Sequence, residues 1–337
     1  MDISREYGSR AATAAANVAR QAIEQAGWSR ATLRDDRTAI VLGTSKGEIE
    51  DWISPPPTLT SDNQPPAGRR TEFGLSGLTQ RVATALDVAH GPRTTLSAAC
   101  ASGLHALIRA CVMLQVGEAD RAIVLATEAS VHPLFISSFE RLGVLPPAGH
   151  GCRPFDVTRA GFLMTEAAAA VCLERSPSTG RAIVGIERFA LAGDASHLTA
   201  SDASGAPLRH ILSQVIGNRP VDLVHAHGTG TVVNDPIELA AIDATLGARR
   251  NAPATIYSHK AHLGHALGAA GMVSVVLNCL GHQRGLVPGN ANTSAPLTAR
   301  HCEVAQAPVR RTVHRSICLA AGFGGPMGAV SLVTADT

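Results

Sequence analysis

One unit recurs along this chain and limits its fold more than any other feature. It is a short apolar run, then a turn of glycine or other small residues, then helical periodicity. "TAIVLGT" (38–44), "TTLSAA" (94–99), "RAIVLATEA" (121–129), "VDLVHAHG" (221–228), "IYSHKA" (256–261), "SICLAAG" (316–322) and "GAVSLVT" (328–334) read as strands. Helices are expected over the Ala-rich 11–27, which ends in a glycine, over 103–114, over 236–246 with a proline in its first turn, and over 265–280. The stretch 54–70, rich in Pro, Ser and Asn, reads as an exposed loop. "GFLMTEAAAAVCLE" (161–174) closes one strand–helix series and "RAIVGIERFALAG" (181–193) opens a similar one, which sets two halves at 1–177 and 178–337. Pattern alone leaves two readings, an ordinary three-layer α/β chain or a duplicated one.

Composition narrows the class. A chain of 337 residues, 45% of them apolar, suits a soluble α/β protein with one large or two similar cores. A net charge of +2 and the lack of a basic stripe with interleaved aromatics argue against a nucleic-acid partner. No secretory h-region and no run as long as a membrane span occurs, so no membrane role is expected. The seven cysteines are scattered and odd in number, without a CxxC pair, which points to a reduced, cytoplasmic setting. Lysine occurs only at Lys46 and Lys260.

Candidate chemistry gathers at the strand ends. In "TTLSAACASGLHALIRA" (94–110), Cys100 sits among small residues where a strand gives way to a helix. Backbone N–H groups at a helix start favour a thiolate and lower a cysteine's pKa. The elbow suits a nucleophile or, equally simply, a small packing residue. "VHAHGTGTVVNDPIE" (224–238) ends a strand in His227 before a Gly-Thr-Gly-Thr turn. "SHKAHLGHALGAAG" (258–271) places His265 before a small-residue helix start, and "AAGFGGPMG" (320–328) is a further glycine-rich turn after a strand. Catalytic side chains in open α/β sheets occupy such strand ends.

Together these motifs resemble the β-ketoacyl-acyl-carrier-protein synthases of the thiolase superfamily, specifically the decarboxylating Cys-His-His type. The resemblance runs from about residue 7 to 334, with "CRPFD" (152–156), "ATEAS" (126–130) and "AGFGG" (321–325) also in order. It implies a thiolase-like duplicated α-β-α-β-α layered fold, with the nucleophile in the first half and both histidines and the lysine in the second. It makes Cys100 the acyl acceptor, with His227 and His265 on the malonyl unit and Lys260 holding the charge and hydrogen bonding of His265. The backbone N–H groups of Cys100 and Ala321 would form the oxyanion hole. Thr229 and Thr231 match positions that hydrogen-bond the pantetheine arm, and Phe323 is a substrate-binding position. The implied partner is an acyl carrier protein bearing acyl and malonyl thioesters, in a homodimer or a heterodimer. No cofactor and no metal are required, because decarboxylation drives the condensation.

Three departures from the family pattern stand out. The chain starts near the first helix, so the first half is expected to lack its opening strand. Its last motif has Ala321 where a bulky gate residue is usual, which predicts an open acyl channel. The stretch between His197 and Val221 is short. Asp235 and Glu238 are expected to brace the loop after His227 and cap the next helix. A zinc site from His225 and His227 or from His259, His262 and His265 is a rival reading, but no acidic or cysteine partner is tied to them. Two more rivals are a non-condensing acyltransferase and a cavity-shaping partner in a heterodimer. Intact Cys100, His227, His265 and Lys260 count against both.

Overall fold

The computed structural model describes residues 9–49, 53, 74–175, 184–247 and 253–335. The loop expected over 54–70 lies outside the described residues. Helix α1 (Arg10–Ala26) starts where the Ser9 hydroxyl accepts from the Ala12 amide, a cap worth about 1 kcal/mol. It stops at Gly27, whose φ of 69° is the left-handed conformation that favours glycine. A short α2 (Arg30–Arg34), then β1 (Thr38–Gly43), α3 (Leu75–Ala85), β2 (Arg93–Leu96), α4 (Ser102–Gln115), β3 (Arg121–Glu128), α5 (Pro133–Arg141) and β4 (Ala167–Glu174) follow.

The second half runs β5 (Val184–Gly193), α6 (Ala206–Ile216), β6 (Leu223–His225), α7 (Asn234–Leu246), β7 (Ala254–Tyr257), α8 (Lys260–Leu263) and α9 (Ala270–Arg284). It closes with β8 (Leu286–Val287), β9 (Cys302–Val304), β10 (Val309–Arg310), β11 (Arg315–Ala321) and β12 (Pro326–Thr334). None of the described helices is long and apolar enough to cross a membrane.

Sheet order settles the duplication. The first sheet runs β2-β1-β3-β4, parallel but for β4. The second runs β5-β12-β11-β6-β7-β9, and its β7-β6-β11-β12 portion repeats the same order and the same strand senses. In the second half β5 pairs with β12. Among the described residues no strand takes the equivalent place beside β4.

Period-two alternation builds five layers. Ile40, Leu42, Ile123 and Leu125 face outward under α1 and α3, while Ala39, Val41, Val124 and Ala126 face inward onto α4. In the second sheet Cys318 and Ala320 join that central cluster, and Ile317 and Leu319 pack outward with α6 and α7. Helices α4 and α9 are therefore buried between the sheets. Their backbones approach closely because a Cβ at Gly103 would lie 2.8 Å from the Met272 amide nitrogen. This middle layer is where the two halves present their strand ends to each other.

Candidate active site

Cys100 lies between β2 and α4, in an elbow rather than inside the helix. Ala99 carries a φ of 48°, a strained conformation for a residue with a Cβ. The Ser102 hydroxyl bonds the Ala99 carbonyl oxygen at 2.6 Å and accepts from the Ala98 amide at 2.9 Å, which ties the elbow down. Cys100 is 9% exposed, in an apolar cluster with Phe139, Cys152, Phe162 and Leu267. Burial pushes its thiol up to about 11, with the Lys260 charge opposing and Glu128 adding to the rise. The lowered pKa expected from the helix start is corrected here: loss of water around the sulfur outweighs the backbone N–H groups.

His227 stands two residues beyond the end of β6, at 6% exposure. Two buried carboxylates hold its loop. Glu238 on α7 accepts from the His227 amide and, at 2.8 Å, from the Gly228 amide. Asp235 accepts from the Gly230 amide at 3.1 Å and from the Phe155 amide at 2.7 Å. Both are raised above the usual carboxylate range, by burial first and, for Glu238, by the neighbouring Asp235. The bracing role expected of them is what the structure shows; the capping role is not, because α7 follows Val233 with no side-chain cap bond.

His265 corrects the expected helix over 265–280. The chain instead forms α8, turns at Gly264 with φ 72°, passes through His265 and a 3-10 turn at Leu267–Ala269, and only then enters α9. The cause is pairing with the first half. The His265 amide donates to the Leu163 carbonyl at 2.7 Å, and the Thr165 amide donates to the His265 carbonyl at 3.1 Å.

The His227 and His265 rings meet edge to face, 5.4 Å between centroids, and Phe162 lies 4.8 Å from the His265 ring. Burial, reinforced by the Lys260 charge, holds both imidazoles well below their usual range, so both are neutral. His265 Nδ1 is buried and has no partner among the described residues. We assign it the bare lone pair, which leaves Nε2–H as the donor. Lys260 is 1% exposed, and its ammonium donates to the His227 backbone carbonyl. The sequence expectation had this lysine on His265; its hydrogen bond goes instead to the other histidine's backbone. Its charge reaches both rings.

Ala321 ends β11, opposite Met327, and packs against the outer core of the second sheet. The bulky Phe323 of the following turn packs against the cluster that holds Cys100, with its ring 6.2 Å from that of Phe139. Gly322 sits closest to the elbow: a Cβ there would lie 3.1 Å from the Cys100 amide nitrogen. Thr229 and Thr231 pair their hydroxyls at 3.0 Å beside His227. Sequence reasoning missed Phe139, Phe162 and Leu267 as walls of the pocket, since they come from separate segments with no shared pattern. His262 lies at the surface, and among the described residues no group of three His, Cys, Asp or Glu side chains is arranged to hold a metal.

Comparison with known proteins places this arrangement. Residues 5–179 match the family model "Beta-ketoacyl synthase, N-terminal domain" and residues 185–294 match "Beta-ketoacyl synthase, C-terminal domain". The chain is 31% identical over 279 residues to the phthioceranic/hydroxyphthioceranic acid synthase of Mycobacterium tuberculosis, covering 80% of this chain and 13% of that protein. It is 32% identical over 260 residues to putative polyketide beta-ketoacyl synthase 1 of Streptomyces cyaneus, covering 72% of this chain and 61% of that one. It thus spans less than two thirds of these relatives. Among solved structures, the ishigamide ketosynthase/chain length factor is similar with a TM-score of 0.84 at 26% identity, covering 98% of this chain and 83% of that one. The ketosynthase from module 6 of the bacillaene synthase of Bacillus subtilis shares the fold, with a TM-score of 0.84 at 22% identity, over 98% of this chain and 58% of that one. With a thiolase-like fold shared with ketosynthases and both domain models matched in order, the chain belongs to the β-ketoacyl synthase family.

Proposed function

We propose that the protein condenses an acyl group held on Cys100 with a malonyl thioester carried by an acyl carrier protein, in polyketide assembly. The observation that supports this best is one buried pocket holding a thiol, two neutral imidazoles whose rings are 5.4 Å apart, and a lysine ammonium.

The steps follow from what each bond change needs. The Cys100 thiol loses its proton to an imidazole as its sulfur attacks the acyl thioester, and that proton leaves on the departing pantetheine thiol. The malonyl C–C bond then breaks and carbon dioxide leaves. The enolate oxygen accepts hydrogen bonds from the His227 and His265 N–H groups. The enolate carbon forms its new bond to the acyl carbonyl and the bond to the Cys100 sulfur breaks. One proton from solvent restores the thiol. Amides of Cys100 and of the 321–323 turn hold the oxyanion, and Thr229 and Thr231 take the pantetheine arm. Phe323, not Ala321, is the gate.

The same reading assigns acyl holding to the half 1–177 and decarboxylation to the half 178–337. It pairs two copies of the chain through β2, an edge strand of the first sheet. It places the enzyme in the cytoplasm, where all seven cysteines stay free. Intact-protein mass spectrometry with a panel of acyl thioesters, followed by malonyl-carrier decarboxylation, tests it. An acyl mass on the parent but not on Cys100→Ala, with release of carbon dioxide, is the expected result. Acylation without decarboxylation would make the protein a plain acyltransferase, and neither would make it a silent partner in a heterodimer.

A further inference from the structure

Behind the two histidines of the pocket lies a second pair, His225 and His259, which the condensation does not use. His225 is the last residue of β6, 0% exposed, and His259 precedes Lys260 at the start of α8, 3% exposed. Their rings touch: His225 Nε2 lies 2.8 Å from His259 Nδ1. His225 Nδ1 lies 3.0 Å from Asn278 Oδ1 on α9, and the Tyr257 hydroxyl at the end of β7 donates to the same oxygen at 3.2 Å.

The proton positions in this chain are determined. The Asn278 amide nitrogen donates to the Ile317 carbonyl at 3.3 Å, so its oxygen faces Tyr257 and His225 as an acceptor. His225 must then carry its hydrogen on Nδ1, leaving Nε2 bare to accept from His259 Nδ1–H. Ser274 spends its own hydrogen on the Ala270 carbonyl and offers only an acceptor to His259. The chain continues through covalent bonds. His259 is joined to Lys260, whose ammonium binds the carbonyl of His227, two residues after His225. The result is a closed ring that links the two segments bearing His227 and His265.

We propose that Tyr257, Asn278, His225 and His259 form a positioning clamp that fixes the His227 and His265 imidazoles relative to each other for decarboxylation. The clamp works in one protonation state only. A second proton on His225 takes the Nε2 lone pair that also accepts from the His259 backbone amide at 3.4 Å. It also puts Nε2–H against His259 Nδ1–H, unless His259 shifts its hydrogen to its Nε2, which has no partner among the described residues. Burial holds both rings below their usual range, His225 at about 3, and the charged or titratable groups around them act in the same direction or are neutral. Those groups are Lys260 on α8, His227 and His265 from the pocket, Tyr257 on β7, and Cys318 on β11, which pairs with His225 in the sheet.

This inference rests on the proposed decarboxylation, and the experiment separates the two. Malonyl-carrier decarboxylation and acyl loading of Cys100 are measured from pH 3 to 8 for the parent, His259→Leu, His259→Asn and Asn278→Asp. A parent that does not decarboxylate refutes the function, not the clamp. Given an active parent, His259→Leu should lose at least tenfold in decarboxylation with loading within threefold. His259→Asn, which restores a donor near Nδ1, should recover to within threefold of the parent. Asn278→Asp stabilises the doubly protonated His225 and should move the acid limb of the decarboxylation profile up by a unit or more. Equal loss of loading and decarboxylation in His259→Leu, no rescue by His259→Asn, or an unmoved acid limb would each overturn the clamp. Should Asn278→Asp fail to fold, the two His259 variants decide alone.

Discussion

The two halves repeat one strand order yet hold their reactive groups by different physics. In the first half Cys100 is placed by backbone and volume: a strained Ala99, the Ser102 hydroxyl on the elbow, and Gly322 pressed against the Cys100 amide. In the second half His227 and His265 are placed by buried polar groups, with Glu238 and Asp235 on the loop and the Lys260 ammonium on the His227 carbonyl. The difference teaches where each half is fragile. The nucleophile should be sensitive to added atoms, and the histidines to added protons.

The largest effect tests the second half. His227→Ala removes an enolate donor and should cut decarboxylation by about 10²–10³-fold, read as carbon dioxide release, while Cys100 still loads. Loss of loading to the same degree would mean that both halves share one task and would break the contrast.

Gly322→Ala tests the first. Its Cβ would meet the Ala98 carbonyl oxygen at 2.8 Å and Ala99 Cβ at 3.0 Å, so the elbow must move. A displacement near 1 Å should slow acylation by about 10²-fold, measured by the rate of the acyl mass shift. Unchanged acylation would show that the elbow is looser than its packing implies.

Stability against pH separates the halves thermodynamically. His225, His227, His259 and His265 are all buried neutral, with folded pKa values below the usual 6.5. The unfolded chain therefore binds more protons, and stability rises with pH. Each ring's contribution is fully present above about pH 6.5 and is lost as pH falls toward its folded value. The slope is about 1.4 kcal/mol per pH unit for each histidine. Urea midpoints should fall from pH 7 through 6 to 5, by less than the four histidines alone would give, because Glu238, raised to about 7, binds a proton in the folded chain over the same range and opposes them.

The smallest effect is at the gate. Phe323→Ala should speed loading of branched acyl thioesters by about tenfold, with little change for short ones. Ala321→Phe should cost about 1–3 kcal/mol in stability through overpacking and leave the acyl range alone. A narrowed acyl range in the second variant would restore Ala321 to the channel.

Much of this was legible in order along the chain. The strand-turn-helix unit marked β1, β3, β6 and β11, and Gly27 marked the end of α1. These signals are local, carried by a few neighbouring residues. Cys100, His227 and His265 were singled out for the same reason, because each sits at the small-residue end of an apolar run. Asp235 and Glu238 were placed correctly as loop braces, since acidic groups at a helix start face backbone amides nearby.

Only tertiary structure decided the rest. The break at His265 depends on the Leu163 carbonyl and the Thr165 amide of the other half, which no window around 265 contains. The thiol of Cys100 is raised because distant Phe139, Phe162 and Leu267 exclude water from it. Phe323 packs against the Cys100 cluster while Ala321 packs against the outer core, because β11 ends at Ala321 and the chain turns at Gly322, where strand alternation no longer sets the side chain's direction. The partner of Lys260 was likewise a matter of where β6 ends relative to α8. The sequence alone determined the kinds of groups and the elements bearing them, because propensity and periodicity are local. Their distances, protonation states and partners belong to the packed molecule, because burial and charge act through space between segments far apart in the chain.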